Sequence, residues 1–372
     1  MQSISDRGVQ DEGGDALKIG LIHGGGTGPE LIDCVRRVLS CISETTGQRF
    51  ETADFDHERW GPEFDEEVYN EALHSDLLEF YNAIQSDSGV IVRGSLPAPV
   101  LYRLRGDLRQ TMKLVPLNPF PGISSAPSLR TILVRESIQG MYHPTSMRRE
   151  GGTVRGEFEW KEETLAFLAR EAFRLAAAHP PHRLTVVLKT SVLGELGEMW
   201  LDVFATESQA HPDVRYAHRA SGAGFSDMWL QPREFGVVVT DDQSGDILAD
   251  LIPSVLYSSR NLVAAGNLSM EGHASFQTDH GTIRPLVGKD AVNPLAMLNA
   301  LAMALRHGLR EEAQGSASLA LGDSILAAMG DVLDAGARTE DFFEGAPQSL
   351  VGTTEMTDRV IDRLSARLSG AQ

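Results

Sequence analysis

Cysteine is nearly absent: Cys34 and Cys41 are the only two in 372 residues. So few thiols exclude a disulfide framework, and their seven-residue spacing in a helix-like segment matches no zinc motif. It places both on one helical face, as small apolar core residues. Lysine is also scarce, with five (Lys18, Lys113, Lys161, Lys189 and Lys289) among 33 basic residues, so a lysine in a telling position is unlikely to be filler. Positive charge as a whole is outnumbered, 33 Lys and Arg against 52 Asp and Glu, for a formal net charge of −19. The resulting field repels polyanions and argues against a nucleic-acid or anionic-membrane partner. No apolar run approaches the roughly 18 to 20 residues of a membrane span. Residues 1–16 are polar and rich in Gly and Asp, and read as a flexible leader rather than a signal peptide. A cytoplasmic location is expected.

What is present has an ordinary globular composition, 42% hydrophobic and 23% charged. Leu17–His23 is an apolar run of strand character that meets Gly24-Gly25-Gly26-Thr27-Gly28-Pro29-Glu30. Leu31, Ile32, Val35, Val38, Leu39 and Ile42 then recur at helical spacing. Further strands are expected at Gly89–Val92, Leu184–Leu188 and Phe235–Thr240. Helices are expected at Glu162–Ala178, Asp246–Tyr257, Pro294–His307 and Ser316–Ala335. Such alternation predicts an α/β architecture. His143–Trp160, polar and centred on Gly151-Gly152, reads as an extended hairpin arm.

Four features bear on chemistry. The glycine turn is either an anion-binding helix N-terminus or a plain tight turn. Arg103, Arg105, Arg109 and Arg135 fall in loop-rich surroundings, where a guanidinium can grip a carboxylate, although Arg103 and Arg109 fit a solvated run better. Lys189 follows directly on an apolar strand, at the sheet edge where α/β proteins bind ligands. Asp246 and Asp250 share one helical face, either to hold a hard divalent cation or to complement the helix dipole.

In order and spacing these segments resemble the isocitrate/isopropylmalate dehydrogenase family over roughly residues 17 to 365. Gly24–Glu30 resembles the family's GDGIGPE turn, and Leu104-Arg105 through Pro116 to Phe120-Pro121-Gly122 resembles its LRK…LRP…YPG segment. Arg135-Glu136 through Gly140-Met141-Tyr142 is similar to RELTGGIY, and Lys189-Thr190-Ser191-Val192-Leu193 to KxNVL. Gly245-Asp246-Ile247-Leu248-Ala249-Asp250 is close to GDILSD, and His280-Gly281-Thr282 with Val292-Asn293-Pro294 to the adenine-side HGSAPDIAGK…ANP loop.

The resemblance implies an isopropylmalate dehydrogenase-like two-domain fold and an obligate homodimer. A discontinuous cofactor domain, residues 17–120 plus 258–365, would enclose a substrate and dimerisation domain, 121–257, with a β clasp arm at 143–160. It also implies oxidation of a malate-like 2-hydroxy acid by NAD or NADP with Mg2+ or Mn2+, followed by loss of the β-carboxylate. Lys189 would be the base and Tyr142 a proton donor, Arg105 and Arg135 would hold carboxylates, and Asp246 and Asp250 the metal. Lys189 and one metal aspartate would act across the dimer. Thr27, His280, Gly281 and Asn293 would border the cofactor.

Departures from the family pattern fall on the site. The second arginine of LRP is Val115, and the Asn two residues before it is Lys113. The third metal aspartate becomes Gly222, with Asp227 five residues off. The turn's Asp becomes Gly25, the Glu before the arginine segment becomes Ala98, and the ribose-binding Asp becomes Pro285, next to Arg284. Losing a charge-assisted hydrogen bond costs about 1.5 to 3 kcal/mol, so Val115 predicts a small-molecule, peptide- or carrier-linked hydroxy acid lacking one free carboxylate. The alternatives are an ordinary isopropylmalate, isocitrate, malate or tartrate dehydrogenase, and a non-catalytic binding or regulatory member.

Overall fold

Short β-branched and aliphatic runs form the strands, and amphipathic stretches form the helices that cover them. The computed structural model describes residues 16–370 apart from 121–122, 124–128, 258, 260, 309–314 and 343–348. Pro121, Gly122 and all but the last residue of the expected leader lie outside that set.

In chain order, β1 (Leu17–Ile22) turns into α1 (Gly28–Thr46). Then come β2 (Phe50–Asp54), α2 (His57–Trp60), α3 (Glu71–Ser86), β3 (Val90–Arg93), α4 (Ala98–Asp107) and β4 (Met112–Leu117). The middle of the chain forms β5 (Thr131–Glu136), the hairpin β6 (Ser146–Glu150) and β7 (Thr153–Glu157), α5 (Glu162–Ala178), β8 (Arg183–Leu188), α6 (Thr190–Leu193) and α7 (Glu195–Ser208). It continues with β9 (Arg215–Ala220), α8 (Ser221–Leu230), β10 (Val237–Thr240) and α9 (Asp242–Tyr257). The last third comprises β11 (Ala264–Leu268), β12 (Ala274–Thr278), α10 (Leu295–Gly308), α11 (Gly315–Asp334), the short β13 (Ala337–Arg338) and β14 (Ser349–Leu350), and α12 (Thr353–Ser369).

Ten strands form one mixed sheet in the order β2-β1-β3-β12-β11-β4-β5-β10-β8-β9. Its flanks are parallel, as the βαβ crossovers require, while β12, β11, β4 and β5 pair antiparallel at the centre. Strands from both expected domains therefore hydrogen-bond in a single sheet. Val237–Thr240, Val186–Leu188 and Val90–Arg93 are buried on both faces, which accounts for their unbroken apolar runs.

Three apolar cores flank the sheet. The largest lies beneath α1, α10, α11 and α12 and extends to α9, a second lies beneath α5 and α7, and a third beneath α3 and α4. Cys34 and Cys41 belong to the first, and burial pushes the Cys34 thiol up to about 11. Cross-strand partners project to the same face of a sheet. Arg93 is opposite Gln277, Asn267 opposite Lys113, and Lys113 opposite Arg135. The Asn267 side-chain amide donates to Gln277 Oε1 at 3.2 Å, which joins the two groups into one polar row across five strands. All five side chains are buried. The row runs from the strands beneath α3 and α4 to the strand beneath α9.

Helix α9 begins one turn before the expected Asp246. Asp241 caps it, its Oδ1 accepting the Ser244 amide at 3.0 Å. Gly245 sits inside the helix, packed so closely on Arg135 that a Cβ there would come within 2.9 Å of its Cγ. The expected arm forms the hairpin β6–β7, turning at Gly151-Gly152 and largely exposed. Among the described residues, no helix is long and apolar enough to cross a membrane.

Candidate active site

Arg135 organises the site. Near the C-terminal end of β5 and fully buried, it donates from Nε to Asp242, from Nη1 to Asp246 at 2.6 Å, and from Nη2 to the Tyr102 hydroxyl at 3.5 Å. Burial alone would lower its pKa, but Asp242 and Asp246 outweigh burial and raise it. Asp242 is buried too, and the second oxygen of its carboxylate lies 3.3 Å from His143 Nε2. Burial raises the Asp242 pKa, but His143 and Arg135 together hold it below the ordinary carboxylate value. Sequence reasoning missed both residues: Asp242 stood before the expected helix and His143 opened the expected arm.

Across the row, Arg105 is buried on α4 with its guanidinium 5.3 Å from the Tyr102 ring, a cation–π contact. Burial, and then the nearby Arg135, lower its pKa to about 10. Among the described residues no carboxylate lies within ion-pairing distance of it, and its Nε lacks a hydrogen-bond partner. Arg93, also missed, is fully buried at the end of β3. Its Nη1 donates to the Gly94 carbonyl at 3.0 Å, and Nε and Nη2 have no partner within hydrogen-bond distance among the described residues, although the Tyr81 hydroxyl lies near enough to oppose the lowering of its pKa by burial. The only signal for it in the sequence was a charge closing the apolar run Val90–Val92. Lys113, by contrast, is ion-paired to the equally buried Asp279. Val115 is fully buried and belongs to the apolar core.

Tyr142 is partly buried beside this cluster, its ring edge-on to Tyr102 with centroids 6.1 Å apart. Burial, then the Asp246 charge, raise its pKa. Asp246 is half exposed, and Asp250 lies one turn further along α9 at the surface. Lys189 follows β8, exposed, and makes no ion pair with any described residue. Exposed Val192 and Leu193 follow it. Gly222 is exposed with open space around it, and Asp227 is ion-paired to Arg219 at 2.5 Å. The structure thus brings together Arg105, Arg135, Tyr142 and Asp246, with Asp250 adjacent, while Lys189 lies at the surface of the single chain. Arg103 and Arg109 are exposed, paired with Asp107 and with Glu163 and Glu271 respectively.

The glycine turn proves to be a closed one. The Gly25 amide donates to the Ser95 carbonyl at 3.0 Å, Gly26 to Asp65 Oδ1 at 3.0 Å and Gly28 to the Gly25 carbonyl at 3.1 Å. A Cβ at Gly25 would fall 2.6 Å from the Phe64 carbonyl oxygen. Thr27 is buried at the start of α1, and Thr282 packs against Gly26. That contact brings the His280–Gly281 loop beside the turn. The nearby Arg284 donates to the Asp65 carbonyl. His280 Nδ1 lies 2.9 Å from the Gly281 carbonyl, and Gly281 is exposed. Asn293 is buried at the start of α10, with its amide donating to Asp341 at 3.2 Å and accepting from the Leu295 N–H at 3.0 Å.

Residues 18–360 match the sequence profile of the isocitrate/isopropylmalate dehydrogenase family. The chain belongs to this family. A 3-isopropylmalate dehydrogenase of Nitrosomonas europaea is 30% identical over 370 residues, covering 94% of this chain and 100% of that relative. Another, of Thermobifida fusca, is 30% identical over 311 residues, covering 78% and 86%. The fold is shared with an isocitrate dehydrogenase from Methylococcus capsulatus, at a TM-score of 0.76 and 24% identity over 94% of this chain and 99% of that one. It is shared also with the TT0538 protein from Thermus thermophilus, at 0.77 and 21% over 93% and 68%. As a member of this family the chain is an oxidoreductase of the decarboxylating dehydrogenase class.

Members of this dehydrogenase family generally use NAD(P) and Mg2+ or Mn2+. Asp246 and Asp250 offer two hard oxygen ligands a turn apart, part of the six or so that such cations take. Among the described residues no third Asp, Glu, His or Cys completes the set within one chain. On the nucleotide side, the exposed Gly281 and partly buried His280 suit a bordering loop. In the turn itself the Gly25, Gly26 and Gly28 amides are already taken, Gly26 by the Asp65 carboxylate.

Proposed function

We propose that the protein oxidises a malate-like 2-hydroxy acid in an NAD(P)- and divalent-metal-dependent reaction, followed by loss of the β-carboxylate. The observation that carries this reading is the convergence of Arg135, Arg105, Tyr142 and Asp246 at the C-terminal ends of β5 and β10. Each is a residue type that the reaction requires. Arg105 and Arg135 would bind and orient the substrate carboxylates, Arg135 being held in place by Asp242. Asp246 and Asp250 would hold a divalent cation, which when bound supplies positive charge beside the substrate's reacting oxygen. His280 and Gly281 would border the nucleotide, which accepts the hydride. Lys189 takes the proton of the substrate hydroxyl, and Tyr142 returns one to the carbon freed by decarboxylation.

In this reading Lys189 acts from a second subunit. Ile247, Leu251 and Val255 form an exposed apolar stripe along α9, and exposed Trp229 and Leu230 end α8. Exposed Met147, Val154 and Phe158 add apolar surface on the arm. Together they support a homodimer in which α8, α9 and the arm are covered. The expectation of a substrate lacking a carboxylate, or linked to a carrier, draws on Val115. The names of the relatives favour the ordinary isopropylmalate-type alternative. Because buried cations elsewhere in the row supply charge that Val115 does not, an acid with free carboxylates is the preferred reading.

With Mn2+ and either nucleotide, isopropylmalate, isocitrate, malate or tartrate should yield NADH or NADPH. Lys189→Ala should lower that rate by roughly 10²- to 10⁴-fold without changing the unfolding midpoint, because the side chain is exposed. Absence of turnover with all four acids would overturn the reading.

A further inference from the structure

We propose that Arg93, together with Arg105, forms a carboxylate subsite that replaces the arginine absent at Val115 and selects substrates with a second free carboxylate. This inference rests on the dehydrogenase reading for its substrate class, but on the packing for its site.

A buried guanidinium without a counter-charge is costly, because desolvation is not offset by an ion pair. The fold avoids that cost elsewhere in the row: Arg135 meets Asp242 and Asp246, and Lys113 meets Asp279. Arg93 meets one backbone carbonyl and the neutral Tyr81 hydroxyl, and Arg105 meets one aromatic face, so neither has a counter-charge. Between them, Arg93 Nε and Nη2 and Arg105 Nε are three buried N–H donors without partners among the described residues. Buried donors are rarely left so without a ligand or water to receive them.

The two cations are close enough for Arg93 to lower the Arg105 pKa. Arg93 is in cross-strand register with Gln277, whose amide continues the row towards Lys113. Arg105 is joined to the Arg135 cluster through Tyr102. The Arg105 donor therefore lies on the Arg135 side of the row, and the Arg93 donors lie beyond it. A dicarboxylate could thus engage Arg135 with one carboxylate and the Arg93–Arg105 pair with the other. A monoamide or ester would leave the second pair unmet.

The test uses the full-length protein with malonate as a dicarboxylate probe and acetate as a control at equal ionic strength. Malonate should raise the thermal midpoint of the wild type more than acetate does. Arg93→Met should raise the half-saturating malonate concentration roughly 10- to 100-fold, the loss of a charge-assisted pair. Arg93→Lys, which keeps the charge in case the methionine variant does not fold, should raise it less. Equal protection of wild type and Arg93→Met, or no protection of the wild type, would overturn the proposal. Malonate protection that depends on Arg93, with no hydroxy acid oxidised, would leave the subsite standing and remove the dehydrogenase reading. Oxidation with an unchanged KM in Arg93→Met would do the reverse.

Discussion

At one end of the polar row Arg135 is held by Asp242, Asp246 and Tyr102. At the other end Arg93, and on α4 Arg105, are equally buried yet have no carboxylate among the described residues. All three guanidinium groups are buried, so burial cannot distinguish their roles. The difference lies in neutralisation. A buried cation whose charge is met internally is fixed in place and can orient other groups. One whose charge is unmet has donors to give to a ligand.

The largest expected effect comes from removing a neutralising partner. Asp242→Ala should destabilise the protein by about 3 to 5 kcal/mol, because it leaves a buried guanidinium edge uncovered. Asp246→Ala, at a side chain 45% exposed, should cost about 1 kcal/mol or less in stability while abolishing turnover. Urea unfolding of the two variants measures the contrast. Equal losses would show that Asp242 is no more structural than Asp246.

Next in size, Lys113→Met strands Asp279 in the interior and should cost about 3 kcal/mol. The double variant Lys113→Met/Asp279→Leu should recover most of it, since replacing both partners leaves no orphan charge. Failure of the double variant to recover would place Lys113 among the ligand-facing cations instead of the neutralised ones.

A third effect is one of pH. Glu136 lies next to Arg135 in β5, fully buried. Burial, reinforced by the Asp242 charge, raises its carboxyl from 4.5 to about 8. A raised carboxyl means that the folded state binds the proton more tightly than the unfolded state. Its contribution to stability is therefore complete below 4.5 and is lost as pH rises towards about 8. Glu136→Gln should flatten the fall in stability across that window, as read from unfolding midpoints at about pH 5 and pH 8. An unchanged slope would mean that a different group titrates there.

Much of this arrangement was legible in the residues. The apolar runs at Leu17, Gly89, Leu184 and Phe235 became strands because they are buried on both faces, and the helix at Glu162–Ala178 has the expected ends. Arg135, Tyr142, Asp246, Asp250 and Lys189 stood out by motif, order and scarcity. What escaped was set by packing between segments distant in the chain. Asp242 matters because β5 brings Arg135 to it, and Arg93 because β12 pairs beside the end of β3 and α3 packs on it. The glycine turn shows the converse: its local pattern suggested an anion site, but Asp65, from a different loop, occupies a turn amide. No local spacing reports such partners.

The ladder between β4 and β5 has a mechanical consequence. Residues 112–117 and 131–136 pair without interruption where the two expected domains meet. Strands joined in this way cannot swing apart on a flexible linker without losing ladder bonds. Movement of the helical layers across the row would instead be a change in sheet twist, shared over several strands. Any opening between the two expected domains is then an elastic property of the sheet that they share.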